Sequence, residues 1–189
     1  MSVDVHSVPE PLEWVPTKAF SSRGGVRPSM VVVHRWSGGT LQGVESWFEN
    51  PANNASSHLV YAGEVGPNAG RCAQMVRIAD KAWTEAAFNP WGISIESADA
   101  IWIGDDYDGF ERLARIVAWL CHHYGIPGNW VRHPDLHANP QGICRHGDLG
   151  TLGGGHTSCP TTDDSQWQQF VALVAGELRR GGFRPTWTR

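Results

Sequence analysis

The alternation of apolar and polar residues predicts several short strands. Residues 30–34 form a β-branched run that ends on a histidine, which is typical of a buried strand. Residues 57–62 and 71–77 predict two strands joined by a Gly-Pro-Asn-Ala-Gly turn, and residues 92–97 alternate as a half-buried strand does. Residues 142–146 predict a further strand ahead of a long glycine-rich loop.

Two longer stretches show the spacing of amphipathic helices. Apolar residues recur at i, i+3, i+4 and i+7 over residues 107–124, and Gly125 predicts the end of that helix. The same spacing over residues 163–180 predicts a second helix, which Gly181 ends. A shorter helix is predicted within residues 42–49. Strands mixed with helices, without a repeat or an internal linker, indicate one α/β domain.

Proline and glycine mark the predicted start of this domain. Residues 1–28 hold four prolines and a Gly-Gly turn, which predicts an extended N-terminal arm. Residues 29–182 are predicted to form the folded domain, and residues 183–189 a C-terminal tail. The first residues lack the basic start and apolar run of a secretory signal, so we expect synthesis in the cytoplasm without one.

The composition excludes several classes of protein. With 41% hydrophobic and 18% charged residues, the chain has too many apolar residues and too few charges for intrinsic disorder. Its 19 acidic and 15 basic residues give a net charge of −4, which argues against a nucleic-acid partner. No window approaches the ~20 consecutive apolar residues of a membrane span, so no membrane partner is expected.

Three of the four cysteines suit an apolar core and one does not. Cys121 falls on the apolar face of the longest predicted helix, and Cys72 and Cys144 fall in predicted strands. Without a secretory signal, free thiols or a metal ligand are favoured over disulfides. Cys159 lies in a polar loop between a histidine and a proline, so packing does not explain it.

Two histidines and Cys159 are placed where they could bind one metal ion. His34 and His146 each end a predicted strand, a position where α/β proteins commonly carry active-site residues. The glycine-rich loop before Cys159 could fold back onto the same edge. A catalytic zinc takes about three N, S or O ligands and leaves one position open for water. Each residue alone is more typical of a structural role, and a proline interrupts the other candidate pair, His133 and His137.

Glu96 is the candidate general base. Its strand places Ser94 and Glu96 on one face and isoleucines on the other. If this face overlooks the metal, the carboxylate can take a proton from a water molecule there. The alternative interpretation is a solvated carboxylate at the edge of the sheet. Asp148, which follows His146 closely, is a candidate acceptor for an imidazole N–H.

Six blocks of residues, taken in chain order, resemble one enzyme family. They are similar to the N-acetylmuramoyl-L-alanine amidases of the phage-lysozyme and peptidoglycan-recognition-protein fold, and the last two look most like endolysins from phages of actinobacteria. The resemblance implies an α/β fold with a central mixed β-sheet flanked by helices, and zinc in a groove that holds glycan and stem peptide. The blocks are residues 31–34, 57–60, 82–89, 92–96, 144–149 and 155–160.

The resemblance also implies roles for individual residues. His34, His146 and Cys159 match the three zinc ligands of the family, and Glu96 matches its catalytic glutamate. Thr157 falls where members carry a group proposed to stabilise the tetrahedral intermediate.

The chain leaves some of these assignments open. Either Thr157 or its neighbour His156 is expected to stabilise the oxyanion. Ser57 stands where several members have a catalytic tyrosine. Residues 132–136 echo the block that contains His146, which we favour because an apolar strand precedes it and the glycine-rich loop follows it.

Aromatic side chains are the candidate substrate contacts. The chain has ten tryptophans, and flat aromatic faces stack on the apolar faces of sugar rings. Trp36, Trp83 and Trp91 are predicted to lie near the site, whereas other tryptophans fall on helix faces. His58 and Asn89, inside the matching blocks, complete the predicted substrate-binding set.

These residues together predict a zinc hydrolase with Zn²⁺ as its cofactor and peptidoglycan as its partner. The predicted reaction is hydrolysis of the amide between N-acetylmuramic acid and L-alanine, by a monomeric phage endolysin that acts on the bacterial cell wall. The alternatives are a cytosolic amidase that recycles wall fragments and a peptidoglycan-binding module without catalysis. A binding module is expected to lack the thiolate and the glutamate, and a regulatory zinc protein would close the fourth ligand position.

Overall fold

A mixed sheet of six strands forms the centre of the fold. The computed structural model describes residues 12–133 and 135–181. The strands are β1 (Leu12–Trp14), β2 (Phe20–Ser22), β3 (Met30–Trp36), β4 (Leu59–Tyr61), β5 (Cys72–Gln74), β6 (Asp80–Ala82), β7 (Gly92–Ala98) and β8 (Gly142–Arg145). The six-stranded sheet has the order β1-β5-β4-β7-β3-β8, and β2 pairs with β6 in a separate antiparallel ribbon.

The strand pairing confirms a mixed sheet. Among the described strands, β4 and β5 form the predicted antiparallel hairpin, and the other pairs of the large sheet are parallel. The longest pairing joins β3 to β7 over seven residues and sets His34 opposite Glu96. Parallel strands of this kind are buried on both faces, which explains the continuous apolar run at residues 30–33.

Helices lie on both faces of the sheet. They are α1 (Leu41–Glu49), α2 (Asp99–Ile103), α3 (Tyr107–Tyr124), α4 (Asp135–Ala138) and α5 (Asp164–Arg180). The side chains of Asp106 and Asp163 accept hydrogen bonds from the first turns of α3 and α5, as N-caps do. Gly125 and Gly181 end the same two helices in the left-handed conformation that favours glycine. Short 3₁₀ turns cover Pro51–Asn53, Ala86–Phe88 and His146–Gly153.

The two faces of the sheet are covered differently. Val31 and Val33 point to the face packed against α3 and α5, where the largest apolar cluster lies. Because side chains alternate along a strand, Met30, Val32 and His34 share the opposite face. That face is covered by α1, α4 and the 3₁₀ turns, with two smaller apolar clusters. The candidate chemistry therefore lies on the less densely covered face.

The long helices match their predictions closely. Helix α3 covers the predicted residues 107–124, and α5 begins at Asp164 because Asp163 is its cap. The environment of β7 differs from the prediction, since the strand lies between β4 and β3 and is buried on both faces. The alternative of an edge carboxylate at Glu96 is therefore wrong.

The segment before residue 29 contributes to the fold. Strand β1 pairs parallel with β5, and β2 pairs with β6. Arg23, between β2 and β3, is buried with 5% of its surface exposed. The remainder of the predicted arm, residues 1–11, and the predicted tail, residues 183–189, lie outside the described residues.

Two further expectations concern the cysteines and the membrane. No disulfide joins any of the four cysteines, and Cys72, Cys121 and Cys144 are buried as predicted. Within the described ranges, no helix combines the length and the apolarity needed to cross a bilayer.

Candidate metal centre and active site

The C-terminal ends of the parallel strands bring the candidate ligands together. His34 lies near the end of β3, and His146 directly follows β8, the neighbouring strand. The two imidazole rings lie 4.3 Å apart between centroids. One nitrogen from each ring and the sulfur of Cys159 all lie within 4.8 Å of one another. Within the described ranges this is the one such group of three potential metal ligands.

A close approach of two loops places Cys159 over His146. The backbone N–H of Gly147 donates to the carbonyl of Cys159 at 2.8 Å. A Cβ at residue 147 would lie 3.0 Å from the carbonyl oxygen of Thr157 and 3.2 Å from that of His156, so a larger residue would press on this backbone. Glycine at this position therefore allows the thiol to reach the two imidazoles.

The hydrogen bonding of His146 leaves one nitrogen available as a ligand. Its Nε2 lies 2.8 Å from the carbonyl oxygen of Gly153, which can only accept a hydrogen bond. Nε2 therefore carries the proton, and the lone pair remains on Nδ1. Fixing the tautomer through the second ring nitrogen is the usual arrangement for a metal-binding histidine.

Asp148 has a different role from the one predicted. Its carboxylate accepts hydrogen bonds from Trp130 Nε1 at 2.9 Å and from the backbone N–H of Arg145 at 3.0 Å. It also accepts from the Arg145 guanidinium at 2.8 Å. Asp148 thus holds the turn that carries His146, and the carbonyl of Gly153 is the acceptor for the imidazole.

The related block at residues 132–136 lies outside the cluster. His133 is exposed, and its ring contacts that of His137 with centroids 4.3 Å apart. The group of potential ligands contains His146 and not His133.

Burial sets the protonation of the three candidate ligands. It lowers the pKa of His34 and of His146 to about 3, so both imidazoles are neutral at pH 7 and can donate a lone pair. Burial, with a smaller contribution from the neighbouring Glu96, raises the pKa of Cys159 to about 12. The thiol is therefore protonated in the metal-free protein, and binding of a cation must release that proton. Two nitrogens and one thiolate suit Zn²⁺.

A cavity of about 530 Å³ opens above these residues. His34, His146, Cys159 and Glu96 line it together with apolar side chains. The Glu96 side chain is 13% exposed, and its Oε1 lies 3.9 Å from Nδ1 of His34. Burial raises the pKa of Glu96 to about 8. A carboxyl group with a raised pKa beside candidate metal ligands is suited to moving a proton.

Of the three predicted tryptophans, two line the cavity. Trp36 and Trp83 are half-buried in its wall. Trp91 lies at the other end of the sheet, where its carbonyl accepts hydrogen bonds from Ser29 and from Met30 at the start of β3. Four residues of strand, about 13 Å, separate Met30 from His34, so the structure does not bring Trp91 to the site.

His58 and Asn89 do not line the cavity either. His58 is fully buried, with Nδ1 2.9 Å from Ser94 Oγ and Nε2 2.8 Å from the Arg23 guanidinium. The Asn89 side chain accepts hydrogen bonds from the backbone N–H groups of Thr84 and Glu85. Both side chains support the architecture beneath the cavity.

The two candidates for oxyanion stabilisation differ in position. His156 lines the cavity and stacks on His146 with centroids 4.6 Å apart. Thr157 is exposed and lies outside the residues that line the cavity. The geometry favours His156.

Two residues at the site were not predicted from the sequence. Trp47 on α1 lines the cavity with 57% of its surface exposed. The sequence signal for Trp47 was its place as an apolar residue on the polar side of a short amphipathic helix. Glu85 is buried beside His34, and its Oε1 lies 3.8 Å from Nε2 of that ring. Glu85 follows the matching Ala82-Trp83 pair by two residues, and nothing in the sequence indicated that it is buried.

Solved structures share this fold. The ligand complex of the Staphylococcus aureus hydrolase AmiA has a TM-score of 0.70 at 20% identity, over 94% of this chain and 89% of that one. The Clostridium intestinale endolysin amidase LysCS has a TM-score of 0.59 at 14% identity, over 87% and 92%. A mutant endolysin from Bacillus subtilis has a TM-score of 0.57 at 15% identity, over 87% and 99%. No curated protein matches the chain.

The family comparison agrees with the geometry. The profile of the N-acetylmuramoyl-L-alanine amidase family, Amidase_2, matches residues 24–162, a range that contains the three candidate ligands and Glu96. The prediction of an enzyme of this class is confirmed. The chain belongs to the N-acetylmuramoyl-L-alanine amidase family.

Proposed function

We propose that this amidase is a zinc enzyme that cleaves the amide between N-acetylmuramic acid and L-alanine in peptidoglycan, as an endolysin that lyses the bacterial wall. The observation that carries the proposal is the group of His34, His146 and Cys159 on the floor of a cavity that Glu96 also lines. The relatives named as endolysins support the lytic role. The family supports the bond that is cleaved.

The residues divide the chemistry among them. His34, His146 and Cys159 would hold the zinc ion, which supplies Lewis acidity toward the amide carbonyl and acidifies a water molecule. Glu96 takes the proton of the attacking water and passes it to the leaving amine, because its carboxyl lies at the cavity floor. His156 donates a hydrogen bond to the developing oxyanion.

The walls of the cavity suit an amphipathic sugar-peptide substrate. Trp36, Trp47 and Trp83 offer aromatic surface around a polar floor. Such faces stack on pyranose rings and exclude water from the reacting amide. Arg35, which also lines the cavity and pairs with Asp99, supplies a cation at one side.

Mass analysis of digested peptidoglycan tests the reaction. We expect new free amino groups on L-alanine, glycan chains without new reducing ends, and about one zinc per chain in the active protein. New reducing ends without new amino groups would identify a muramidase and refute the proposal. New amino groups on other residues would identify a peptidase.

The choice of substrate separates lysis from recycling. An endolysin is expected to release material from intact cell walls as well as from soluble fragments. Activity on soluble fragments alone would favour the recycling amidase. Binding to cell walls without any product would favour the binding module.

A further inference from the structure

One buried acidic side chain beside the cluster has no part in the chemistry described so far. Glu85 precedes the 3₁₀ turn Ala86–Phe88 and is 1% exposed. Its Oε1 lies 3.8 Å from Nε2 of His34. Within the described part of the chain, neither Glu85 oxygen has a hydrogen-bond partner, and His34 Nε2 has none either. A buried acceptor and a buried ring nitrogen therefore face each other.

His34 lies between two carboxyl groups, one toward each ring nitrogen. Glu96 faces Nδ1 at 3.9 Å and lines the cavity. Glu85 faces Nε2 and is absent from the cavity lining, so it lies behind the imidazole. A neutral imidazole has one N–H donor and one lone pair. The acceptor behind the ring therefore decides which nitrogen is free to bind a cation.

Arg23 is the other charged group near Glu85, and its donors are already used. Its Nε donates to the carbonyl of Ile78 at 2.8 Å. One terminal nitrogen donates to the carbonyls of Asn89 and Pro90, and the other contacts His58 Nε2 and the carbonyl of Gly92. These contacts account for all five N–H groups of a guanidinium. The positive charge of Arg23 acts on Glu85, but its hydrogen bonds do not.

The surrounding backbone leaves room for the Glu85 carboxyl group. A Cβ at Gly92, the first residue of β7, would lie 1.9 Å from Glu85 Oε2. Asn89 Oδ1 accepts the backbone N–H of Glu85 at 2.7 Å and that of Thr84 at 3.2 Å. Glycine provides the space, and asparagine holds the turn that directs the side chain toward His34.

We propose that Glu85 is a positioning residue that accepts the Nε2–H of His34 and leaves the Nδ1 lone pair for the metal. The inference rests on the metal site of the proposed function. His146 shows the same arrangement, with Nε2 directed to the carbonyl of Gly153 at 2.8 Å. An acceptor behind the ring fixes the tautomer and increases the basicity of the ligand nitrogen.

Zinc affinity tests this role without relying on activity. Glu85→Ala removes the acceptor, and Glu85→Gln keeps an acceptor oxygen without the charge. Chelator competition should show zinc binding weakened by about 10–100-fold in Glu85→Ala, with Glu85→Gln between that variant and the wild type. Glu45→Gln on α1 is the control, because Glu45 is also buried, with 7% of its surface exposed. Its Oε1 likewise has no hydrogen-bond partner and lies 3.8 Å from Nη2 of Arg71. The control should bind zinc as the wild type does.

The tautomer of His34 distinguishes positioning from a general structural role. In ¹⁵N-histidine spectra of the metal-free wild type, we expect the proton of His34 on Nε2. Glu85→Ala should shift the equilibrium toward the Nδ1–H form, whereas Glu45→Gln should not. A wild type with the proton on Nδ1, or equal zinc affinity in all the variants, would overturn the role of Glu85 and leave the amidase intact. A wild type that binds no zinc would instead refute the proposed function.

Discussion

The two faces of the sheet show how one set of strands serves stability and chemistry separately. The face under α3 and α5 buries Leu113, Ile116 and Phe170 completely. The opposite face buries His34 and Glu85, which have ring or carboxyl atoms without hydrogen-bond partners. Leaving a buried polar group unpaired costs about 1–3 kcal/mol, and apolar burial on the first face offsets that cost.

The pKa shifts follow the same division. Burial lowers the pKa of His34 and His146 to about 3 and raises that of Glu85 and Glu96 to about 8. Burial therefore favours neutral imidazoles and opposes ionisation of the two carboxyl groups, each of which still offers an acceptor oxygen. Such clusters of perturbed groups are typical of functional sites, and a cation bound there would favour ionised carboxylates beside neutral imidazoles.

The largest expected effect comes from a ligand on the chemical face. His146→Ala should abolish zinc binding and amidase activity, because it removes one of three donors that lie within 4.8 Å. Zinc content and product release measure both. His133→Ala is the matched control from the related block and should retain both, since His133 is exposed and outside the cluster. The reverse result would move the ligand to residue 133.

The next effect concerns proton transfer on the same face. Glu96→Gln keeps the shape of the side chain but cannot accept the proton, so kcat should fall by about 10²–10⁴-fold while zinc stays bound. Steady-state kinetics with a zinc assay measure the two quantities. Glu49→Gln on the exposed side of α1 should keep full turnover. Unchanged turnover in Glu96→Gln would exclude Glu96 as the base.

A substitution on the apolar face should reduce stability and leave the chemistry unchanged. Leu113→Ala should lower the free energy of unfolding by about 2–5 kcal/mol, because Leu113 is fully buried in α3. Urea unfolding measures the loss, and the folded variant should keep its zinc affinity. Leu152→Ala, at a leucine 49% exposed, should change stability by less than about 0.5 kcal/mol. A large loss of zinc affinity in Leu113→Ala would show that the faces are coupled.

The smallest effect is the pH dependence that His58 contributes. Burial and the Arg23 guanidinium hold the pKa of His58 well below its ordinary value of 6.5. Below pH 6.5, His58 is therefore protonated in the unfolded chain but stays neutral in the folded protein. The free energy of unfolding falls as the pH falls, because protons bind preferentially to the unfolded chain. This contribution is about 1.4 kcal/mol per pH unit, and His58→Gln should remove it.

Urea unfolding of the metal-free protein at pH 7, 6 and 5 measures this slope. His137→Gln, at an exposed histidine, is the control and should keep the slope of the wild type. An unchanged slope in His58→Gln would mean that His58 is not the group that resists protonation.

The site was partly predictable because its parts sit at recognisable positions. His34 follows an apolar strand, and Cys159 follows a glycine-rich loop, so each was found without knowledge of the contacts. His58 lies within a matching block and Trp91 between two of them, but the structure places Trp91 at the far end of β3 and His58 beneath the cavity. Proximity along the chain does not show which way a side chain points.

The sequence alone determined the long helices and the buried strand β3, because local periodicity encodes them. It also indicated the family and the candidate ligands, through the resemblance of six blocks of residues and the positions of His34, His146 and Cys159. The tertiary structure decided the order of the strands, which sets His34 beside Glu96 and buries β7 on both faces. It also decided that Glu85 lies behind His34, a contact between a loop and a distant strand that has no local signal. Burial and hydrogen-bond partners depend on residues distant in the chain, so only the folded molecule specifies them.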